Sequence, residues 1–173
     1  RVIHLFEADM NFLLGVLWNR RLIKHAEEQR MLSADQWGNR AGRNAIDAVL
    51  MKQFSFITAS LTRTPLISFD KDAKACYDRM VMSLVNLRAQ QLGMPAQVCN
   101  LTANTADASE YHLKTSVGVS TECYRSSADQ PLYGFGQGKR DAPAAWLILS
   151  TLLMETLSEK ATGAVFCDPQ QTI

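Results

Sequence analysis

Leu66-Ile67-Ser68-Phe69-Asp70-Lys71-Asp72, continuing as Ala73-Lys74-Ala75-Cys76-Tyr77-Asp78, is where the chain changes its period. Up to Asp72 the residues alternate: Ile67 and Phe69 point to one face, Asp70 and Asp72 to the other. This reads as a strand opened by Pro65 and ending in acid. From Asp78 the spacing becomes helical, with Met80, Leu84 and Leu87 on one stripe, and Gly93 and Pro95 end it. Oxygen ligands at a strand tip suit magnesium, which keeps waters and takes one or two protein carboxylates. The plainer reading is that Asp78 caps the following helix while Asp70 and Asp72 are solvated loop acids.

Outward from this point the chain is mostly helical. Residues 5–32 form a long helical pattern, apolar early and charged late. Residues 33–42 are a turn-rich break, and 44–60 return to helical spacing with Ile46, Val49, Leu50 and Phe54 on one side. Past Pro95 another helix is expected to about residue 109, then a strand over 111–117. Gly134-Phe135-Gly136-Gln137-Gly138-Lys139-Arg140-Asp141-Ala142-Pro143 is a glycine-rich loop entering a strongly apolar helix. Asp141 stands as its N-cap and Pro143 in its first turn. Missing Cβ atoms allow positive φ and close approach to a ligand, and Lys139 and Arg140 suit a loop facing phosphate. A last strand is read over 163–167. The fold class expected from this order is α+β with a small, largely antiparallel sheet.

Composition sets limits. The chain has 173 residues, 47% hydrophobic and 20% charged, which is ordinary for one globular domain and argues against disorder. Eighteen basic residues against 17 acidic give a formal charge of +1, so any case for nucleic-acid binding rests on local clusters. Cys76, Cys99, Cys123 and Cys167 form no C-x-x-C pair, and no histidine stands at zinc-finger spacing from them. A reduced, intracellular protein is expected. The opening residues do not read as a secretory signal. The apolar runs 12–18 and 144–157 are too short to span a bilayer and read as buried helices, so no membrane partner is expected. His4, His25 and His112 read as surface or packing residues. Starting at Arg1 and ending after an apparent strand, the chain is expected to be an internal piece of a larger protein.

The two quoted segments, in this order and roughly sixty residues apart, resemble the first catalytic motif and the template-primer loop of reverse transcriptases, especially those of non-LTR retroelements and group II introns. Asp72-x-x-x-Cys76-Tyr77-Asp78 is similar to the family's D-x-x-x-A-[FY]-D. Gly134-x-x-Gln137-Gly138-x-x-x-Ala142-Pro143 is similar to G-x-x-Q-G-x-x-x-S-P, with Ala142 where serine is usual. Arg1-Val2-Ile3-His4-Leu5 resembles R-P-I-x-L, and Asn19-Arg20-Arg21-Leu22 resembles a stretch reading N-R-L. Gln36-Trp37-Gly38-Asn39-Arg40-Ala41-Gly42-Arg43 resembles Q-x-G-F-R-P-G-R, departing at Asn39 and Ala41.

The resemblance implies helix-rich fingers over 1–64 and a partial palm over 65–173, together one incomplete reverse transcriptase domain of a right-hand polymerase. It implies nucleotidyl transfer with Mg2+, an RNA template, a DNA or RNA primer and deoxynucleoside triphosphates. Asp72 would be the catalytic metal ligand, with Asp70 in reserve. Tyr77 would pack on the incoming sugar, Arg1 would reach the triphosphate, and Gln137 and Gly138 would contact the nascent pair. Arg40 and Arg43 suit template phosphates, because a planar guanidinium pairs with them bidentately; Gly134, Gly136, Lys139 and Arg140 would complete the nucleic-acid face. The alternative is that these arginines cap and solvate a helix start. The family's aromatic-x-Asp-Asp hairpin has no counterpart, since no Asp-Asp pair occurs. The expectation is therefore an active parent and an inactive isolated piece; the alternative is a decayed or repurposed copy that binds nucleic acid without catalysis.

Overall fold

A computed structural model describes residues 3–68 and 72–161. The long helical pattern is one rod in three parts: α1 (Ala8–Gly15), a π-helical segment (Val16–Ile23) and α2 (Lys24–Glu28). Glu7 starts it, its carboxylate accepting from the N–H groups of Asp9 at 3.0 Å and Met10 at 2.7 Å. Those two bonds hold the Glu7 carboxyl below its ordinary range. After a turn region come α3 (Ala45–Thr62), a 3-10 turn (Tyr77–Arg79), α4 (Met82–Gln91), α5 (Ala96–Ala108), β1 (Glu110–Lys114), β2 (Val119–Arg125) and α6 (Ala142–Lys160).

The core lies between the rod, α4, α5 and α6. Leu14, Trp18, Leu22 and Ile23 from the rod meet Val85, Ala89, Leu92 and Cys99, and the Ala144, Leu147 and Ile148 face of α6. Burying each large side chain contributes about 1.5–3 kcal/mol. Trp18 is the centrepiece. Its indole N–H donates to Thr102 Oγ1 on α5 at 3.1 Å, and its ring meets Phe135 edge-on at 5.6 Å. Arg88 of α4 grips both oxygens of Glu155 of α6 at 2.7 Å.

The α+β expectation holds in its coarse form: helices with a two-stranded antiparallel sheet. β1 pairs with β2, with Tyr111 opposite Tyr124 and His112 opposite Cys123. The expected strand at 111–117 is therefore the first arm of a hairpin, displaced toward its N-terminal end. The strand read over 65–72 is not formed among the described residues: 65–68 and Asp72 are irregular. A strand needs a hydrogen-bonded neighbour, and none is present among the described residues. Residues 69–71 and the strand read over 163–167 lie outside the described residues.

Two further details differ from the sequence reading. Asp78 lies in the 3-10 turn, and α4 begins after Val81 with no side-chain cap, so Asp78 does not cap it. Asp141 does stand at the N-cap of α6, but its carboxylate makes no capping bond. Asn44 caps α3 as its residue type favours, accepting from Asp47 N–H at 3.0 Å. The apolar side of α3, including Ile46, Val49, Leu50 and Phe54, is exposed. No helix among the described residues is long and apolar enough to cross a membrane.

Candidate functional site

The glycine loop is built against two other stretches of backbone. Phe135 N–H donates to the Tyr77 carbonyl at 2.9 Å, and His4 N–H donates to the Gln137 carbonyl at 2.6 Å. Gly134, at φ +83, lies so close that a Cβ would stand 2.4 Å from the Tyr77 carbonyl oxygen and 2.6 Å from Asp78 Cα. At Gly138, φ +113, a Cβ would stand 2.4 Å from the His4 carbonyl oxygen. Gly136 is buried against the His4 ring. The missing side chains thus allow the loop to approach the chain's own backbone, where the sequence suggested a close approach to ligand.

Beyond Gly138 the loop is held by two asparagines of the rod. Asn11 Oδ1 accepts from Arg140 N–H at 2.7 Å, and Asn19 Nδ2 donates to the Arg140 carbonyl at 2.5 Å. Asn39, from the turn region, donates to Asn19 Oδ1 at 3.1 Å. Together these elements wall a cleft of about 450 Å³, lined by Asn19, Arg20, Asn39, Tyr77, Gly138 and Arg140 among others. Arg20 and Arg140 are exposed cations there. The sequence alone assigns no site role to Asn11, Asn19 or Arg20. The asparagines' spacing of eight, about two turns, was the available signal, since it puts both on one side of the rod.

The two cations of the loop are in different places. Lys139 is buried, its ammonium 4.4 Å from the centre of the Phe6 ring. Burial lowers its pKa, partly opposed by the charge of Asp141. Asp141 is fully buried, and among the described residues no donor meets either carboxylate oxygen in hydrogen-bond geometry. Burial pushes its carboxyl up to about 6, against the lowering effects of Lys139 and of nearby backbone N–H groups. Only Arg140 of the pair presents its side chain to solvent, so Lys139 is not placed to face a phosphate as the sequence suggested.

Arg40 and Arg43 organise the turn region. Arg40 donates to both oxygens of Glu27 at 2.5 and 2.7 Å and to the carbonyls of Ser33 and Gln36 at 2.6 and 3.1 Å. The guanidinium's hydrogen bonds hold Glu27 below the ordinary carboxylate range. Arg43 donates to the carbonyls of Ala34 and Gln36, and its guanidinium sits 5.1 Å from the Trp37 ring centre. Gln36 reaches α6, its Nε2 donating to Ser150 Oγ. Arg40 therefore meets its partners inside the protein, at Glu27 and two turn carbonyls, whereas the start of α3 is capped by Asn44.

No known protein family, curated protein or solved structure matches this chain.

Asp72 is exposed and precedes the 3-10 turn that carries Tyr77. Among the described residues it belongs to no group of three potential metal ligands. An exposed single carboxylate is a donor magnesium accepts when waters and substrate phosphates supply the remaining oxygens. Asp72 is thus a fitting but incomplete donor set. Asp70 and Arg1 lie outside the described residues.

Proposed function

We propose that the chain is part of an RNA-directed DNA polymerase, and that the cleft beside Tyr77 is where template-primer and the incoming deoxynucleoside triphosphate meet. One contact carries the reading: the glycine loop is hydrogen-bonded onto the Tyr77–Asp78 segment through Phe135 N–H. The two stretches that resemble the catalytic motif and the template-primer loop are thereby neighbours in space. Loop and motif share a cleft with Arg20 and Arg140, cations able to meet phosphate. In this reading Asp72 holds Mg2+ and Tyr77 packs on the sugar, while Gln137 and Gly138 lie along the nascent pair.

The sequence holds no Asp-Asp pair. A two-metal site needs more carboxylates than Asp70 and Asp72 supply, so the chain by itself binds without polymerising. Ala142, where serine is usual, and the formal charge of +1 favour, as the second reading, a non-catalytic nucleic-acid-binding copy.

The test is a low-salt anisotropy titration with an RNA template annealed to a DNA primer. Wild type is expected to bind, weakening with salt, and Arg20→Ala with Arg140→Ala is expected to weaken binding about tenfold. No binding, or equal binding by the double variant, overturns the assignment. Primer extension by this chain joined to a segment supplying the remaining carboxylates, lost in Asp72→Ala, separates the enzyme from the non-catalytic copy.

A further inference from the structure

We propose that the outer face of the β1–β2 hairpin is a binding site for a borderline-soft divalent metal, zinc above all, with Glu110, His112 and Cys123 as its ligands. It stands apart from the cleft and does not depend on the polymerase reading.

The geometry follows from the strand pairing. Glu110 and His112 are two residues apart on β1, so their side chains leave the same face. Cys123 is the direct cross-strand partner of His112. One donor atom from each of the three lies within 4.8 Å of the others. Tetrahedral zinc, with bonds of about 2.0–2.3 Å, sets its donors roughly 3.5 Å apart. A small rotation of exposed side chains closes that difference.

The surroundings prepare the donors. His112 Nδ1 lies 3.1 Å from the Ser120 carbonyl oxygen. A carbonyl only accepts, so Nδ1 carries the proton and the lone pair is on Nε2. Metal-binding histidines are commonly oriented by this kind of contact. Glu110 has an exposed ion pair with Arg125 at 3.7 Å through Oε1, which leaves Oε2 for a metal. Cys123 is a free, exposed thiol. The opposite face of the hairpin is committed to packing: Tyr111 stacks on Tyr124 at 5.2 Å and meets the His4 ring edge-on at 5.2 Å. The ligand face therefore looks outward.

The donor set chooses the metal. A thiolate and an imidazole beside one carboxylate favour zinc, cobalt or nickel over magnesium or calcium, which take oxygen alone. Binding replaces the Cys123 S–H bond with a sulfur–metal bond and releases one proton to solvent, so affinity rises with pH. Three protein ligands leave a fourth position to water.

The experiment is a Co(II) titration of the reduced chain, followed by absorption, with Zn(II) as competitor. About one equivalent of Co(II) is expected to give a thiolate-to-cobalt band in the near ultraviolet, with visible bands of tetrahedral intensity. Zinc should displace it, and millimolar Mg2+ should not. Cys123→Ser should abolish the near-ultraviolet band; His112→Ala and Glu110→Gln should weaken binding on the order of tenfold or more; Cys76→Ser should change nothing. All three ligand positions are exposed, and unchanged thermal melts would show that folding is intact. Absence of the thiolate band in wild type, or its survival in Cys123→Ser, overturns the proposal.

Discussion

Phe135 gives its backbone N–H to the carbonyl of Tyr77, and that 2.9 Å bond brings residues far apart in sequence into one site. The bond is possible because the residue before Phe135 has no side chain. Gly134→Ala would place a methyl 2.4 Å from the Tyr77 oxygen while also straining φ. Gly42→Ala is the control, since φ there is +72 but nothing lies within 4 Å. Urea unfolding is expected to show a loss of about 1 kcal/mol for Gly42→Ala and clearly more for Gly134→Ala. Equal losses would mean that the loop's approach to Tyr77 is not what holds it.

Thr102 accepts the hydrogen bond of the buried indole N–H of Trp18, across the rod–α5 interface. Thr102→Val keeps the shape and strands the donor. The expected loss is about 1–3 kcal/mol, the range for a buried polar group left unpaired. Trp18→Phe with Thr102→Val should lose less than the sum of the two single variants, because without the indole N–H there is no donor for Thr102→Val to strand. Chemical denaturation of the four proteins measures the coupling.

Asp141 makes stability depend on pH in an unusual direction. Its carboxyl is raised from 3.8 to about 6 in the folded chain, so between those values the folded state binds more protons than the unfolded state. Stability therefore falls as pH rises through that window and levels off above it, by a total on the order of 2–3 kcal/mol. Glu27 acts oppositely: its depressed pKa contributes stability above 4.5 that is lost as pH falls below it. Thermal melts of wild type and Asp141→Asn from pH 3.5 to 7.5 should differ by an amount that shifts against wild type between about pH 4 and 6 and is constant above. Parallel curves across pH 4 to 6 would refute the burial of this carboxylate.

Arg40 and Asp72 should separate stability from function. Arg40→Ala strips Glu27 of its donor and takes one of the hydrogen bonds from each of the Ser33 and Gln36 carbonyls, and is expected to destabilise by about 1–3 kcal/mol. Asp72→Ala changes an exposed residue and should stay within about 0.5 kcal/mol of wild type. Under the proposed polymerase reading its effect should appear instead as weakened Mg2+-dependent binding of a deoxynucleoside triphosphate, measured by titration. A large stability change in Asp72→Ala would make it a structural residue.

The sequence by itself determined the helices, because each carries its own periodicity and its own stops. The rod, α4, α5 and α6 follow from apolar spacing with Gly93, Pro95 and Pro143 as punctuation, and Asn44 announces α3. It also singled out Tyr77 and the loop around Gln137. Only the tertiary structure decided what those residues touch. Packing selected Lys139 for the interior and left Arg140 outside, though the two are adjacent and alike in charge. It turned loop glycines toward the chain's own backbone and left 65–68 without a partner strand among the described residues. It also set His112 opposite Cys123, a neighbourhood that depends on hairpin register and on no linear spacing. Local periodicity is written in consecutive residues, whereas burial and cross-strand pairing are set by residues far away in the chain.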